Sequence, residues 1–128
     1  MTLPATAFDL LDAPNTAVLT TLRPDGSPQT SPVWFLRDGD AGLVSTRVGR
    51  KKHRNVLRDP RVAFTVFDPA NPMRYVELRG TATVEEDPTC AVRDAVVRKH
   101  GYADGSAFDP PDVHRITMRL TATRVVEQ

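Results

Sequence analysis

The sequence predicts a mainly β protein, a small six-stranded antiparallel barrel with short helices between strands, formed as one domain over residues 1–128. Three observations lead there. Six segments carry β-branched residues or two-sided alternation. Most are joined by short turns rich in Gly, Pro and Asp, as hairpins require. Helical periodicity is confined to brief stretches, so no helical layer competes with a sheet that closes on itself. A chain of 128 residues can bury roughly two-thirds of the surface it exposes when unfolded, enough for one core.

Residues 3–13 read as an N-terminal helix, with Pro4 tolerated in its first turn and Pro14 ending it. The first strand is residues 17–22, and Arg23-Pro24-Asp25-Gly26-Ser27 forms a turn. A second strand, residues 28–37, places Gln29, Ser31, Val33 and Phe35 on one face and Thr30, Pro32, Trp34 and Leu36 on the other. Pro28 and Pro32 assign it to a sheet edge or a bulge. Asp38-Gly39-Asp40 turns the chain into a third strand at residues 42–46. A short basic helix follows, with His53, Val56 and Leu57 as its inward stripe. Strand four is residues 61–67, and Asp68-Pro69-Ala70-Asn71-Pro72 is a loop. Strand five is residues 73–86, with a bulge or close approach at Gly80. Asp87-Pro88 caps a helix at about residues 89–99 that Gly101 stops, and residues 102–112 form a loop. The last strand, residues 114–126, turns Ile116, Met118, Leu120 and Ala122 inward.

Composition narrows the function. The formal net charge is +1, so the chain is not a generally basic, nucleic-acid-coating protein. Cys90 is the only cysteine, which excludes an intrachain disulfide and a multi-cysteine metal site. Residues 1–15 lack a basic start and a long apolar run, and no segment is long and apolar enough to span a bilayer. A cytoplasmic protein without a membrane partner is expected. His53, His100 and His114 have no metal-ligand spacing, so no metal is expected. Asp9 with Asp12, and Glu85 with Glu86, sit at element ends where acids are ordinary. No Gly-x-Ser-x-Gly elbow, Walker motif or dinucleotide-binding glycine fingerprint occurs. Cys90 falls in the first turn of a helix and reads as a small packing residue.

The basic residues are concentrated. Residues 47–61 hold seven of the seventeen Lys and Arg against one acid, Asp59. Gly49 opens the run and Asp59-Pro60 closes it. Backbone N–H groups at a helix start favour an anion, and Arg50 and Lys52 are placed to add charge-assisted hydrogen bonds. The stretch reads either as a phosphate-binding corner or as a solvated helix face. A barrel with a phosphate corner and no evident acid, base or nucleophile suits a cofactor enzyme, because the cofactor then carries the reactive atom and no protein residue need be catalytic.

Leu19-Thr20-Thr21-Leu22-Arg23-Pro24-Asp25-Gly26-Ser27-Pro28-Gln29 resembles the opening hairpin of the FMN-binding split-barrel family, the pyridoxamine 5'-phosphate oxidase-like proteins. Ser31-Pro32-Val33-Trp34-Phe35, then Arg50-Lys51-Lys52-His53-Arg54-Asn55 with Asp59-Pro60-Arg61-Val62-Ala63, resembles the branch of actinobacterial reductases that use the deazaflavin coenzyme F420. Asn71-Pro72-Met73-Arg74-Tyr75-Val76-Glu77-Leu78-Arg79-Gly80 is similar to that branch's long fifth strand. The likeness covers about residues 19–86 in order, together with the last strand. It implies a split-barrel homodimer with two cofactor sites between protomers. By the same resemblance, Arg50 and Lys52 grip the cofactor phosphate with Lys51 close by, and Ser45 and Thr46 lie beside it. Gln29, Thr30, Ser31, Pro32 and Val33 line the deazaflavin ring, and the partner's Met73, Arg74 and Tyr75 cover it. Trp34 faces either the pocket or the dimer core, with the dimer core preferred, and Arg54 and Arg58 are assigned to a solvated face.

The resemblance therefore implies an F420H2-dependent reductase that transfers a hydride to a small conjugated acceptor. An FMN-dependent oxidase or reductase of the same fold, and a non-catalytic carrier of a flavin or tetrapyrrole, are the alternatives. The aromatics do not interleave with the basic run, so nucleic-acid binding ranks last. Trp34, Phe35 and Phe67 supply apolar surface that a small monomeric barrel could hardly bury, which suits a homodimer.

Overall fold

The computed structural model describes all residues, 1–128. One antiparallel sheet of seven strands dominates it: β1 Ala17–Leu22, β2 Pro28–Val33, β3 Leu36–Asp38, β4 Ala41–Arg47, β5 Arg61–Asp68, β6 Asn71–Glu86 and β7 Arg115–Glu127, in the order β2-β1-β5-β6-β7-β4-β3. The two edge strands are β2 and β3, and only Trp34 and Phe35 separate them in the chain. Three Cα links span at most about 11 Å, so the sheet must curl until its edges nearly meet. A barrel with a seam results.

The seam explains the one difference in strand count. The expected second strand breaks at Trp34-Phe35, since its halves pair with different neighbours, β1 and β4. The facing predicted along it nevertheless holds: Val33 and Phe35 are buried, and Thr30 and Pro32 are exposed. Phe35 enters the core edge-on to Phe64, with ring centroids 4.8 Å apart. Pro28 and Pro32 lie on the edge strand, where a missing N–H costs no ladder bond.

The long strands behave as their sequence directs. Ile116, Met118, Leu120 and Ala122 of β7 are all buried. The β6–β7 register slips between Arg79 and Gly80, where a Cβ on Gly80 would overlap the Thr121 carbonyl and lie 2.9 Å from Ala122 Cα. Gly80 therefore permits a close backbone crossing that no other residue allows.

Three short helices close the barrel: α1 Phe8–Asp12, α2 Lys51–Arg58 and α3 Ala91–Lys99. The expected helix over residues 3–13 is instead a 3₁₀ turn, Ala5–Ala7, followed by α1. In α2 the buried residues are His53, Asn55 and Val56, whereas Leu57 is 63% exposed, against the expected stripe. The helix is rotated so that the Asn55 amide reaches Thr21 Oγ1 at 3.0 Å and Gln29 Oε1 at 2.8 Å. A buried polar group needs its partners, and this one overrides an apolar preference for Leu57. Asp87 caps α3 by accepting the Val92 and Arg93 N–H groups. Cys90 precedes that helix in a left-handed conformation, φ 59°, rather than within its first turn.

Candidate functional site

The barrel's seam and the start of α2 meet at a cavity of about 580 Å³. Val33 ends β2, Trp34 crosses the seam, Ser45, Thr46 and Arg47 end β4, and Arg50 is the N-cap of α2. Gly49 makes this corner possible: at φ 83° it turns the chain from β4 into the helix. Its N–H donates to His53 Nδ1 at 2.9 Å, so the buried histidine locks the turn to the helix and serves packing, as expected.

Electrostatics give the cavity its character. Arg47, Arg50, Lys52, Arg93 and Arg115 line it, and no acid, imidazole or thiol does. Lys52 is half-buried; its pKa is lowered by burial first and then by the Arg50 and Arg115 charges. Neither Arg50 nor Lys52 takes part in an ion pair. The first N–H groups of α2 have no intrahelical acceptor and add their partial positive charge. An anion such as a phosphate group fits this corner, because it relieves cation repulsion and supplies the missing acceptors.

The other three cations are held by one carboxylate. Asp109, its side chain fully covered, accepts from Arg47 Nε at 2.9 Å, Arg93 Nη1 at 3.0 Å, and Arg115 Nε and Nη2 both at 2.8 Å. These bonds, led by those from Arg115, hold its pKa down to about 2 against the opposing effect of burial. Arg47 Nη2 also donates to the Phe108 carbonyl at 2.7 Å. Residues 102–112 are thus pinned to β4, α3 and β7 at once, which places Phe108 on the cavity wall.

Six of the sequence-predicted site residues line this cavity: Pro32, Val33, Ser45, Thr46, Arg50 and Lys52. Gln29 and Lys51 instead border a separate groove of about 510 Å³ with Arg23, Arg54 and Arg58. Lys51, Arg54 and Arg58 recur at helical spacing, so opposite sides of α2 address two different depressions. Thr30 is exposed and bonded to Thr20 at 3.2 Å, and Ser31 is half-buried on the edge strand. Met73, Arg74 and Tyr75 lie elsewhere within the same chain. Arg74 is paired with Asp9 at 2.7 Å, Met73 is 73% exposed, and Tyr75 exchanges backbone bonds with Gln128.

Trp34 lines the cavity, as the first of its two expected placements has it, because Phe35 has taken the inward position at the seam. Arg58 is more than a solvated cation: it donates to the Leu22 carbonyl at 2.8 Å and to Asn55 Oδ1 at 2.9 Å. Sequence reasoning missed Arg93, Arg115, Phe108 and Asp109, and it gave no role to Arg47. Their one local signal is an acid, Asp109, set directly before Pro110-Pro111.

Comparison with known proteins places these features in context. The sequence profile of the pyridoxamine 5'-phosphate oxidase family matches residues 3–127. An F420H2-dependent biliverdin reductase of Mycobacterium tuberculosis is 33% identical over 122 residues, covering 94% of this chain and 84% of that protein. A solved F420 reductase superposes with a TM-score of 0.82 at 34% identity, covering 98% of this chain and all of that one. General stress protein 26 of Bacillus anthracis shares the fold, with a TM-score of 0.72 at 20% identity over 94% of this chain and 88% of that one.

Proposed function

The chain belongs to the pyridoxamine 5'-phosphate oxidase family, and from that membership we propose an oxidoreductase, dependent on coenzyme F420, that reduces a small conjugated acceptor. The observation that carries this reading is the cavity itself, with five cations on its wall and no carboxylate, imidazole or thiol among them. Such a wall binds and orients a phosphorylated cofactor and leaves the reactive atom to it. Two F420-dependent relatives above 30% identity favour the deazaflavin over FMN.

When bound, the reduced deazaflavin supplies the hydride. Arg50 and Lys52 would clasp the phosphate, with Ser45 and Thr46 offering hydroxyls beside it. Pro32 and Val33 would border the ring, and the backbone of Gln29, Thr30 and Ser31 continues that edge. Lys51 adds positive potential without facing the cavity. In a homodimer, the partner subunit's Met73, Arg74 and Tyr75 would cover the ring and exclude water. Met73 is already exposed, as a residue awaiting a second surface would be. The acceptor's proton would come from water or a nearby donor, since no carboxyl, imidazole or thiol faces the cavity.

Biliverdin, on which the M. tuberculosis relative acts, is the first acceptor to try. Mixing the protein with F420H2 and biliverdin should restore the oxidised deazaflavin absorbance at a rate proportional to enzyme. Menadione, a small neutral quinone, is the second. F420 binding with no turnover on either acceptor would favour the carrier reading instead.

A further inference from the structure

Trp34 is the only tryptophan, and its surroundings are unusual for a seam residue. The His100 ring stacks on it at 4.0 Å and 6°. Tyr102 lies 5.8 Å from Trp34 on a tilt, and Phe108 meets Tyr102 edge-on at 5.1 Å. The strip His100–Trp34–Tyr102–Phe108 is continuous, and it ends at the cavity, since Trp34 and Phe108 both belong to the wall. Yet Tyr102 and Phe108 remain 47% and 42% exposed.

Packing alone does not explain this arrangement. His100 fills one side of Trp34, with Nε2 buried and unpartnered, so the indole is held in one orientation at the expense of a hydrogen bond. Phe108 is held just as firmly, because Asp109 next to it is gripped by three arginines from three elements. Gly105 lies so close to Arg93 that a Cβ there would come within 2.6 Å of Nε. Rigid rings left open to solvent at a cavity mouth have unsatisfied faces. They fit a flat π-surface.

We propose that Phe108 and Tyr102, with Trp34 beside Tyr102, form the recognition wall for the acceptor, selecting flat conjugated molecules. This rests on the reductase reading above. The division of labour is then physical: the cations at the start of α2 bind cofactor, and the aromatic strip on residues 100–108 binds what the cofactor reduces. Its outer members, Tyr102 and Phe108, lie outside residues 19–86, where resemblance to the deazaflavin branch is concentrated, as expected of a part that sets specificity rather than cofactor use.

The test separates the two claims. Phe108→Ala, Phe108→Leu and Tyr102→Ala are compared with the parent protein for F420 affinity and for steady-state reduction of biliverdin and menadione. Each ring lost should raise KM for the acceptor about three- to tenfold. F420 affinity should be unchanged, and Phe108→Leu should fall between Phe108→Ala and the parent. Titrating menadione into protein without F420, and following the single tryptophan's emission, gives a readout that does not depend on turnover. Saturable quenching is expected in the parent and should be shifted to higher concentration in both Ala variants. An unchanged acceptor KM and unshifted quenching overturn the wall. Equal losses of F420 and acceptor affinity also overturn it, by assigning the strip to the cofactor. If the parent does not bind F420 but its quenching is saturable and sensitive to Phe108→Ala, the aromatic wall stands and the F420 reading fails.

Discussion

Replacing Arg50 and Lys52 together by Ala tests the phosphate corner. Each residue would contribute a charge-assisted hydrogen bond worth roughly 1.5–3 kcal/mol. Lys52 belongs toward the upper end: it is half-buried among cations and depressed by burial and by Arg50 and Arg115, so an anion relieves a penalty already present. Arg50 is exposed and belongs toward the lower end. Their sum, about 4 kcal/mol, corresponds to roughly a thousandfold. The α2 N–H groups and Arg115 remain to recover part of it, which leaves a loss of about a hundredfold or more in Kd for F420. Folding should be unaffected or slightly improved, because neither residue has an ion-pair partner and both oppose the helix dipole. Fluorescence titration at fixed salt, with thermal unfolding on the same samples, reads both quantities. Arg23→Ala and Arg54→Ala, which border the separate groove, are the controls; Arg58 is unsuitable because it braces Leu22 and Asn55. Small losses of similar size in all three variants, fading at high salt, would refute a specific phosphate site and leave only a basic surface.

Asp109→Asn should lower Tm by roughly 10 °C or more, since removing one partner of a buried ion cluster costs about 3–5 kcal/mol; a fall below about 3 °C would contradict the node. The Asp109 carboxyl titrates near 2 in the folded chain, below its ordinary 3.8. Its stabilisation is therefore complete above about pH 5 and lost as pH falls toward 2, and acid unfolding of Asp109→Asn should be correspondingly less steep there. Gly80→Ala should prevent normal β6–β7 pairing and leave little folded protein by circular dichroism, because the new Cβ meets backbone at Thr121 and Ala122 rather than a side chain that could move; wild-type-like unfolding would show that the crossing relaxes cheaply. Light scattering at micromolar concentration should give twice the chain mass of 14.1 kDa, and a monomeric mass would remove the partner's Met73, Arg74 and Tyr75 from the site.

What could be read from the chain divides by distance along it. Strand facing, the prolines on the edge strand and the close approach at Gly80 follow from period-two alternation and from residues with narrow backbone tolerance, which act locally. Arg50 and Lys52 were legible for the same reason: they stand beside each other at one helix start. The Asp109 node was not, because its partners Arg47, Arg93 and Arg115 lie 62, 16 and 6 residues away and only the closed barrel brings them together. Alternation could assign Trp34 and Phe35 to opposite faces but could not tell that the seam between edge strands would turn Trp34 into the cavity. Leu57 was misplaced because hydropathy ranks it above Asn55, while the buried hydrogen bonds to Thr21 and Gln29 decide how α2 turns.

The most direct measurement is a paired titration of the purified protein with coenzyme F420 and with FMN under identical salt. The proposed site at the α2 corner should bind F420 saturably and FMN far more weakly. Both should weaken together in the Arg50→Ala, Lys52→Ala double variant. Tight FMN binding with no F420 binding would contradict the account at its centre and assign the same phosphate corner to a flavin enzyme instead.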